Sequence, residues 1–228
     1  MSDCFEDWIK KAEFPKVFKL RGGAGSSNVK LIHNRSQAVR FVKRAFGRGF
    51  PSYDKLGDLK ENIRKFDWSR HSQIALSKSV RRLFMSTLFA RTVGRQKGYV
   101  LFQEFAPENK FDIRVITIGD RAFAIKRMVR ENDFRASGSG MILYDKEEID
   151  ERCVKIAFET TAKLDAICVA YDFVFNKNNQ PLIVEVNYGF EHRAYFPCPG
   201  YWDRQLKWHE GKFNSAEWIV DEVMRTKP

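Results

Sequence analysis

Three oxygen-bearing side chains stand in the segment "VAYDFVFNKNNQPLIVEVNYGF": Asp172, Glu185 and Asn187. Their neighbours Phe173, Val174 and Phe175, and Ile183, Val184 and Val186, make two strands apolar on both faces. Asn178-Asn179 between them fits a tight turn. Centring a hairpin there sets Asp172 directly opposite Glu185, and Asn187, two residues on, points to the same side. Like charges directly opposed in a sheet are destabilising. Two carboxylates so placed require a cation or a shared proton. Oxygens of Asp, Glu and Asn are hard ligands that suit magnesium, which usually shares its shell with nucleotide phosphates. The competing reading, an exposed strand end with unrelated polar residues, is disfavoured by the flanking apolar runs.

A second polar set lies upstream. "KFDIRVITI" and "RAFAIKRMV" read as strands joined at Gly119-Asp120. With the turn there, Asp112 faces Arg127, and alternation sets Asp112, Arg114 and Arg127 on one face, with Ile116 and Phe123 nearer the turn. As an ordinary surface ion pair this contributes little. As a polar floor it holds a sugar and phosphates.

The third feature is "FPKVFKLRGGAGSSNVKLI", with Lys19 ahead of a glycine-rich loop. No Lys-Ser or Lys-Thr follows the glycines, so it is not a Walker loop. "GAGSSN" fails the last glycine of a dinucleotide fingerprint. The run after the loop, "NVKLI", is β-like, so the loop joins strand to strand as a hairpin flap. Such a flap with a lysine on its first strand occurs in protein kinases and in ATP-grasp enzymes. Taken alone, it is equally a flexible hairpin tip. A kinase is disfavoured, since H-R-D and D-F-G elements are absent.

Helices must carry the remaining segments. In "HNRSQAVRFVKRAF", Asn34 and Gln37 form a capping box, and Ala38, Phe41, Val42 and Ala45 recur at helical spacing. "SKSVRRLFMSTLFARTV" places Val80, Leu83, Phe84 and Leu88 on one face, with Lys78, Arg81 and Arg82 on another. A later helix is expected to be capped by Asp145, with Ile149, Cys153, Ile156, Ala157 and Leu164 as its core stripe. "GYVLFQEFAP" reads as a further strand.

The chain has 228 residues, enough for one domain or two tight subdomains, and 43% hydrophobic content excludes a disordered chain. No apolar run is long enough to span a membrane, and "MSDCFEDWIK" is not a signal peptide. Cys4, Cys153, Cys168 and Cys198 form no CxxC pair, which argues against a zinc site or a disulfide framework and for a reduced, cytoplasmic setting. The net charge of +11 is uneven. From Trp68 to Lys97 there are seven bases (Arg70, Lys78, Arg81, Arg82, Arg91, Arg95 and Lys97) and no acid. This block is either a solvated helix face or an attractor of anions. Nucleic acid is disfavoured because aromatics do not interleave with the bases as a stacking platform requires.

Lys19 before the flap, "VLFQEF", "FDIRV", "IKRMVRENDFRASGSG" and "DFVF…VEVN" together resemble, in this order, the ATP-grasp ligases, the superfamily of glutathione synthetase and the RimK-type amino-acid ligases. The resemblance covers roughly residues 14–190. It implies an α+β fold in which two α+β subdomains clasp ATP: a flap subdomain over 1–100, with a basic helical insertion over about 47–98, and a metal-bearing subdomain over 101–228. It implies phosphate contacts from Lys19 and from the flap residues Gly22, Gly23, Gly25 and Ser26. It sets Gln103, Glu104 and Phe105 beside the adenine and Asp112 on the ribose. Arg127, with Lys126, Arg114 and Arg130, meets phosphates or an acyl phosphate. Asp172, Glu185 and Asn187 hold Mg2+.

The implied activity is an ADP-forming ligation of a carboxylate to an amine or thiol through an acyl phosphate. The substrates are small molecules, such as an amino acid joined to a peptide, protein or glycan precursor. Relatives carry a whole domain before the lysine, where this sequence has 18 residues. The expectation is therefore an incomplete acceptor side, completed by a protein partner or dimer. A non-catalytic nucleotide-binding module and a phosphotransferase on the same fold stay open as alternatives. Arg193, His192 and Tyr195, after Asn187, are candidates for the substrate pocket.

Overall fold

The structure, a computed structural model, describes residues 3–21, 29–52, 55–64, 66–85, 92, 94–129 and 140–225. The flap tip with Gly22, Gly23, Gly25 and Ser26 lies outside the described residues, as do Arg130, Leu88 and Arg91. The chain divides into two compact units, Met1–Phe105 and Ala106–Pro228.

The first unit runs α1 (Asp3–Lys11), β1 (Lys16–Lys19), β2 (Val29–Ile32), α2 (Arg35–Phe46), β3 (Phe50–Pro51), α3 (Lys55–Arg64), α4 (Arg70–Phe84), β4 (Arg95–Gln96) and β5 (Leu101–Glu104). β1 and β2 pair antiparallel with Lys19 opposite Val29, the hairpin expected across the glycine loop. β5, grouped by sequence with the second subdomain, pairs antiparallel with the other edge of β1. Phe18 is buried and packs against the rings of Phe41, Phe50 and Phe102, so one face of this small sheet carries an aromatic core. α2 begins as expected: the Gln37 N–H donates to the Asn34 side chain at 3.0 Å, and Ala38, Val42 and Ala45 are buried.

α3 and α4 pack on each other through small polar contacts. Asn62 Nδ2 donates to buried Ser79 Oγ at 2.7 Å, and Lys55 Nζ donates to the Leu83 carbonyl at 3.1 Å. The expected stripe lies within this helix as far as Phe84 and is not its contact with α3. The helix stops at Phe84, and Val80 and Phe84 stay open to solvent, because α4 meets α3 through Ser79 rather than through its apolar side.

The second unit runs β6 (Phe111–Ile118), β7 (Arg121–Met128), β8 (Ile142–Leu143), α5 (Glu151–Leu164), β9 (Cys168–Phe175), β10 (Pro181–Asn187), β11 (Gly200–Asp203), β12 (Trp208–Glu210) and α6 (Ser215–Arg225). Its sheet is seven-stranded, in the order β10-β9-β6-β7-β11-β12, with β8 added to β7. Among the described residues every pairing in it is antiparallel.

Alternation gives the two faces of this sheet different jobs. Ile113, Val115, Ala124, Tyr171 and Phe173 pack under α5, against Cys153, Val154 and Ala157. On the other face Ile116, Ile118, Phe123, Ile125 and Ala170 pack with Tyr195 and Cys198. β6 and β7 join at the expected two-residue turn, with Gly119 at φ +55° and Ile118 opposite Arg121. α5 starts later than expected. Its cap is Asp150, which accepts from the Arg152 N–H at 3.0 Å, while Asp145 makes no side-chain cap bond. Leu164 drops out of the core stripe because the helix ends there and the side chain is exposed, while Val154, Phe158 and Thr161 fill the face instead.

The β9–β10 hairpin reaches its expected pairing by another route. Its turn has three residues, Lys177–Asn179, with the Asn176 N–H bonded to the Gln180 carbonyl at 3.0 Å and Asn179 at φ +54°. The Asn176 side chain shapes it by accepting from the N–H groups of Asn178 and Gln180, both at 2.9 Å. Ile183 then lies opposite Phe173. A bulge between Ile183 and Glu185 brings Glu185 opposite Asp172 and Asn187 opposite Ala170.

Candidate functional site

The polar groups of the second unit collect on the face of the sheet away from α5. Asp112 and Arg114 alternate along β6, Arg127 faces Asp112 from β7, and Asp172 faces Arg114 from β9. Arg127 donates to both Asp112 oxygens at 2.7 Å, a bidentate pair. It also reaches Asp172 Oδ2 at 3.0 Å, while Arg114 Nε lies 3.3 Å from Asp172 Oδ1. Asp112, Arg127 and Asp172 are all buried. Two carboxylates and two guanidiniums thus alternate across three strands. The cation that the Asp172–Glu185 pairing calls for is supplied, on the Asp172 side, by the protein itself.

The electrostatics follow from burial and these contacts. Burial raises the Asp112 carboxyl above its ordinary pKa, against the opposing pull of its Arg127 hydrogen bonds. Burial disfavours the Arg127 charge, but Asp172 and Asp112 outweigh it and hold the guanidinium more firmly protonated than usual. Tyr195 sits under the same cluster, and burial pushes its phenol up to about 12. The thiols of Cys153 and Cys198 are buried and pushed up to about 12, so neither is a nucleophile at neutral pH.

Glu185 continues the row on β10, its Oε1 accepting from Asn187 Nδ2 at 2.8 Å. That bond leaves the Asn187 amide oxygen and the second Glu185 oxygen as acceptors. Asp172 Oδ1 and Arg114 Nε, though close, make no hydrogen bond with any described group. The oxygens of buried Asp172 and of half-buried Glu185 and Asn187 are hard donors, and they fit Mg2+. No cluster of three or more His, Cys, Asp or Glu suited to a metal occurs among the described residues. The protein therefore offers two carboxylates and an amide, and a ligand would have to complete the shell.

The remaining expected residues are more dispersed. Lys126 alternates to the opposite face, where its ammonium meets Glu148 at 2.7 Å and lies over the Phe111 ring. Its side chain leaves the strand on the side opposite Arg127, because successive strand residues point to opposite faces. In the first unit Lys19 and Gln103 share one face of the small sheet. Glu104 is on the other, bonded to Lys16, which is buried where Glu104 is largely exposed. Phe105 follows the end of β5. His192 Nδ1 lies 2.9 Å from buried Ser215 Oγ, Arg193 is exposed, and Tyr195 is core. Lys16 went unread because its partner lies across a pairing between β1 and β5, which no local pattern announces. The Arg114–Asp172 contact was missed for the same reason.

This α+β arrangement of antiparallel sheets and helices is that of the ATP-grasp fold. The sequence matches the RimK-like ATP-grasp domain over residues 77–193, just over half of the chain, and the chain belongs to that family. Among solved structures it is similar to the ADP complex of purK, N5-carboxyaminoimidazole ribonucleotide synthetase (10% identity, 97% of this chain and 52% of that one, TM-score 0.48). It is similar to the ATP-grasp ligase PsnB complexed with a phosphomimetic variant of its minimal precursor, Mg and ADP (12% identity, 99% and 50%, TM-score 0.46). It is also similar to the biotin carboxylase domain of Hydrogenobacter thermophilus 2-oxoglutarate carboxylase with MgADP and bicarbonate (11% identity, 82% and 33%, TM-score 0.46). The chain spans about half of the first two and a third of the last. No curated protein matches it. Among the described residues no helix is long and apolar enough to cross a membrane.

Proposed function

We propose that this chain acts as an ATP- and Mg2+-dependent, ADP-forming ligase that joins a carboxylate to an amine or thiol. The observation that carries the reading is the row of buried Arg127, Asp112 and Asp172 with half-buried Arg114, running into Glu185 and Asn187 on one face of the sheet. Such a face supplies fixed cations to phosphate oxygens and hard oxygens to a metal, the two needs of phosphoryl transfer.

In this reading a substrate carboxylate oxygen attacks the γ-phosphorus and the bond to ADP breaks. The amine or thiol then attacks the acyl carbon, phosphate leaves, and the nucleophile loses its proton. Arg127 and Arg114 stabilise charge that gathers on the transferring phosphoryl oxygens. The bidentate clamp on Asp112 fixes the plane of Arg127 beforehand, so little reorganisation accompanies the reaction. Asp112 would meet a ribose with the lone pairs that its Arg127 bonds leave, and Lys19 would meet the phosphates. Mg2+, held by Asp172, Glu185 and Asn187, would offset phosphate charge. Gln103–Phe105 line the adenine, and Gly22, Gly23, Gly25, Ser26 and Arg130 belong to the same proposal.

The test is ADP and phosphate release by the purified chain with ATP, Mg2+ and mixtures of amino acids and sugar acids. The expected result is release that needs both a carboxylate and an amine or thiol and is lost in Glu185→Gln. ADP release that does not depend on a carboxylate, or none at all from a chain shown by calorimetry to be saturated with ATP, would overturn the proposal.

A further inference from the structure

α4 leaves an apolar stripe open. Val80 and Phe84 are 44% and 85% exposed, and Trp68, just ahead of the helix, is 86% exposed with its ring edge-on to Phe66. Phe66, Leu76 and Val80, together with Gln73, Ser77 and Arg81, line an open cleft of about 520 Å³. Single exposed apolar residues are ordinary, but a cleft flanked by several marks an interaction surface.

Along α4 itself the charge beside this cleft is all basic, with one exposed acid, Asp67, next to Phe66 and bonded to Ser69 ahead of the helix. At 100° per residue, Arg70, Ile74, Lys78 and Arg81 run along α4 as a second stripe next to Ser77, Val80 and Phe84. Arg70, Lys78 and Arg81 are exposed. No acid occurs from Trp68 to Lys97. An apolar cleft bordered by bases complements an amphipathic helix with apolar side chains at i, i+3, i+4 and i+7 and glutamates or aspartates on the adjoining face. Its apolar side chains would fill the cleft while its acids met Arg81, Lys78 and Arg70. Nucleic acid would meet the bases but would leave the cleft unused, and Trp68 and Phe84 stand at opposite ends of α4, too far apart to stack successive bases.

We propose that the cleft formed by α4 and Phe66 is a docking surface for an acidic, amphipathic helical segment of a partner protein. This does not depend on the ligase reading.

The probe is a fluorescein-labelled helical peptide of about 20 residues, with Leu at i, i+3, i+4 and i+7 and Glu on the flanking positions, titrated with the full chain and followed by polarisation. Three controls accompany it: the same peptide with Lys for Glu, the Glu peptide with Ser for Leu, and a single-stranded RNA of equal charge. Saturable binding by the first peptide is expected, weakened about tenfold or more in both Val80→Asp and Lys78→Glu/Arg81→Glu. Both variants lie on the surface, and unchanged circular dichroism and melting confirm their folding. Equal binding by the Ser-for-Leu peptide would reduce the surface to charge alone and overturn the proposal. So would tighter binding of the RNA, an unchanged affinity in Val80→Asp, or no binding by the first peptide. A concentration-dependent dimer in sedimentation that Val80→Asp abolishes would also overturn it, by assigning the face to a second copy.

Discussion

Replacing Arg127 with methionine keeps most of the side-chain volume and removes one buried charge. The lost contacts are two 2.7 Å hydrogen bonds to Asp112 and one 3.0 Å contact to Asp172. Asp172 retains Arg114 at 3.3 Å, but Asp112 keeps no bidentate partner. Removing one member of a buried ion pair costs about 3–5 kcal/mol because the other charge is left uncompensated. For a domain of this size 1 kcal/mol is worth about 4 °C in Tm, so a fall of about 12–20 °C is expected at pH 7.5.

The pH dependence separates this mechanism from a simple packing defect. The native pKa of Asp112 is already raised by burial. Between the ordinary aspartate value and the native one, the folded state binds more protons than the unfolded state, so this group's contribution to stability falls as pH rises. Arg127 is the main group holding Asp112 ionised, and its removal lifts the native pKa further and extends that window upward. The deficit of Arg127→Met should therefore shrink by about 1.4 kcal/mol for each unit by which the pH is lowered within the window. Calorimetric melts of wild type and variant from pH 7.5 to pH 5 measure it, with Arg127→Lys, which keeps the charge but not the fork, expected between the two. A loss below about 1 kcal/mol at pH 7.5, or a deficit that does not narrow on acidification, would refute the reasoning.

Glu185→Gln should leave apo stability within about 0.5 kcal/mol, since Asn187 can still donate to the new amide oxygen, but it should abolish the extra thermal shift that Mg2+ adds to ADP. Lys19→Ala should weaken ATP binding far more than adenosine binding, as read by calorimetry at fixed salt. Equal losses for both ligands would remove Lys19 from the phosphates. Gly119→Ala should cost about 1–2 kcal/mol in chemical denaturation, because Gly119 sits at φ +55° and an added Cβ would meet the Glu222 carboxylate. The companion Glu222→Ala should recover the steric part of that loss and leave the backbone part.

Local signals were readable in proportion to how close in sequence their partners lay. The Gly119-Asp120 turn and strict alternation were enough to place Asp112 opposite Arg127. The Asn34–Gln37 box announced α2 for the same reason. The pairing of β6 with β9 joins segments separated by a helix, so the contact of Arg114 with Asp172 could not be read. The opposed carboxylates therefore call for a cation or a shared proton in the sequence, without showing that two arginines stand at Asp172. Helical periodicity revealed that α4 has an apolar side but not whether anything covers it, and here Ser79 rather than Val80 meets the neighbouring helix. Alternation alone sets Lys126 on the face opposite Arg127.

The bulge in β10 shifts the register across the hairpin by one residue between Ile183 and Glu185. Ile183 faces Phe173 in the core under α5, and Glu185 faces Asp172 on the opposite side, although two residues that far apart in a regular strand share a face. A relative lacking the residue at 184 could still present its glutamate to the same aspartate. Loss of Val186, one pleat further, would turn Asn187 to the other side. Sequences of different length through this hairpin can thus share one site, while sequences of equal length need not. Their comparison should be anchored on Glu185 and Asp172 rather than on the turn.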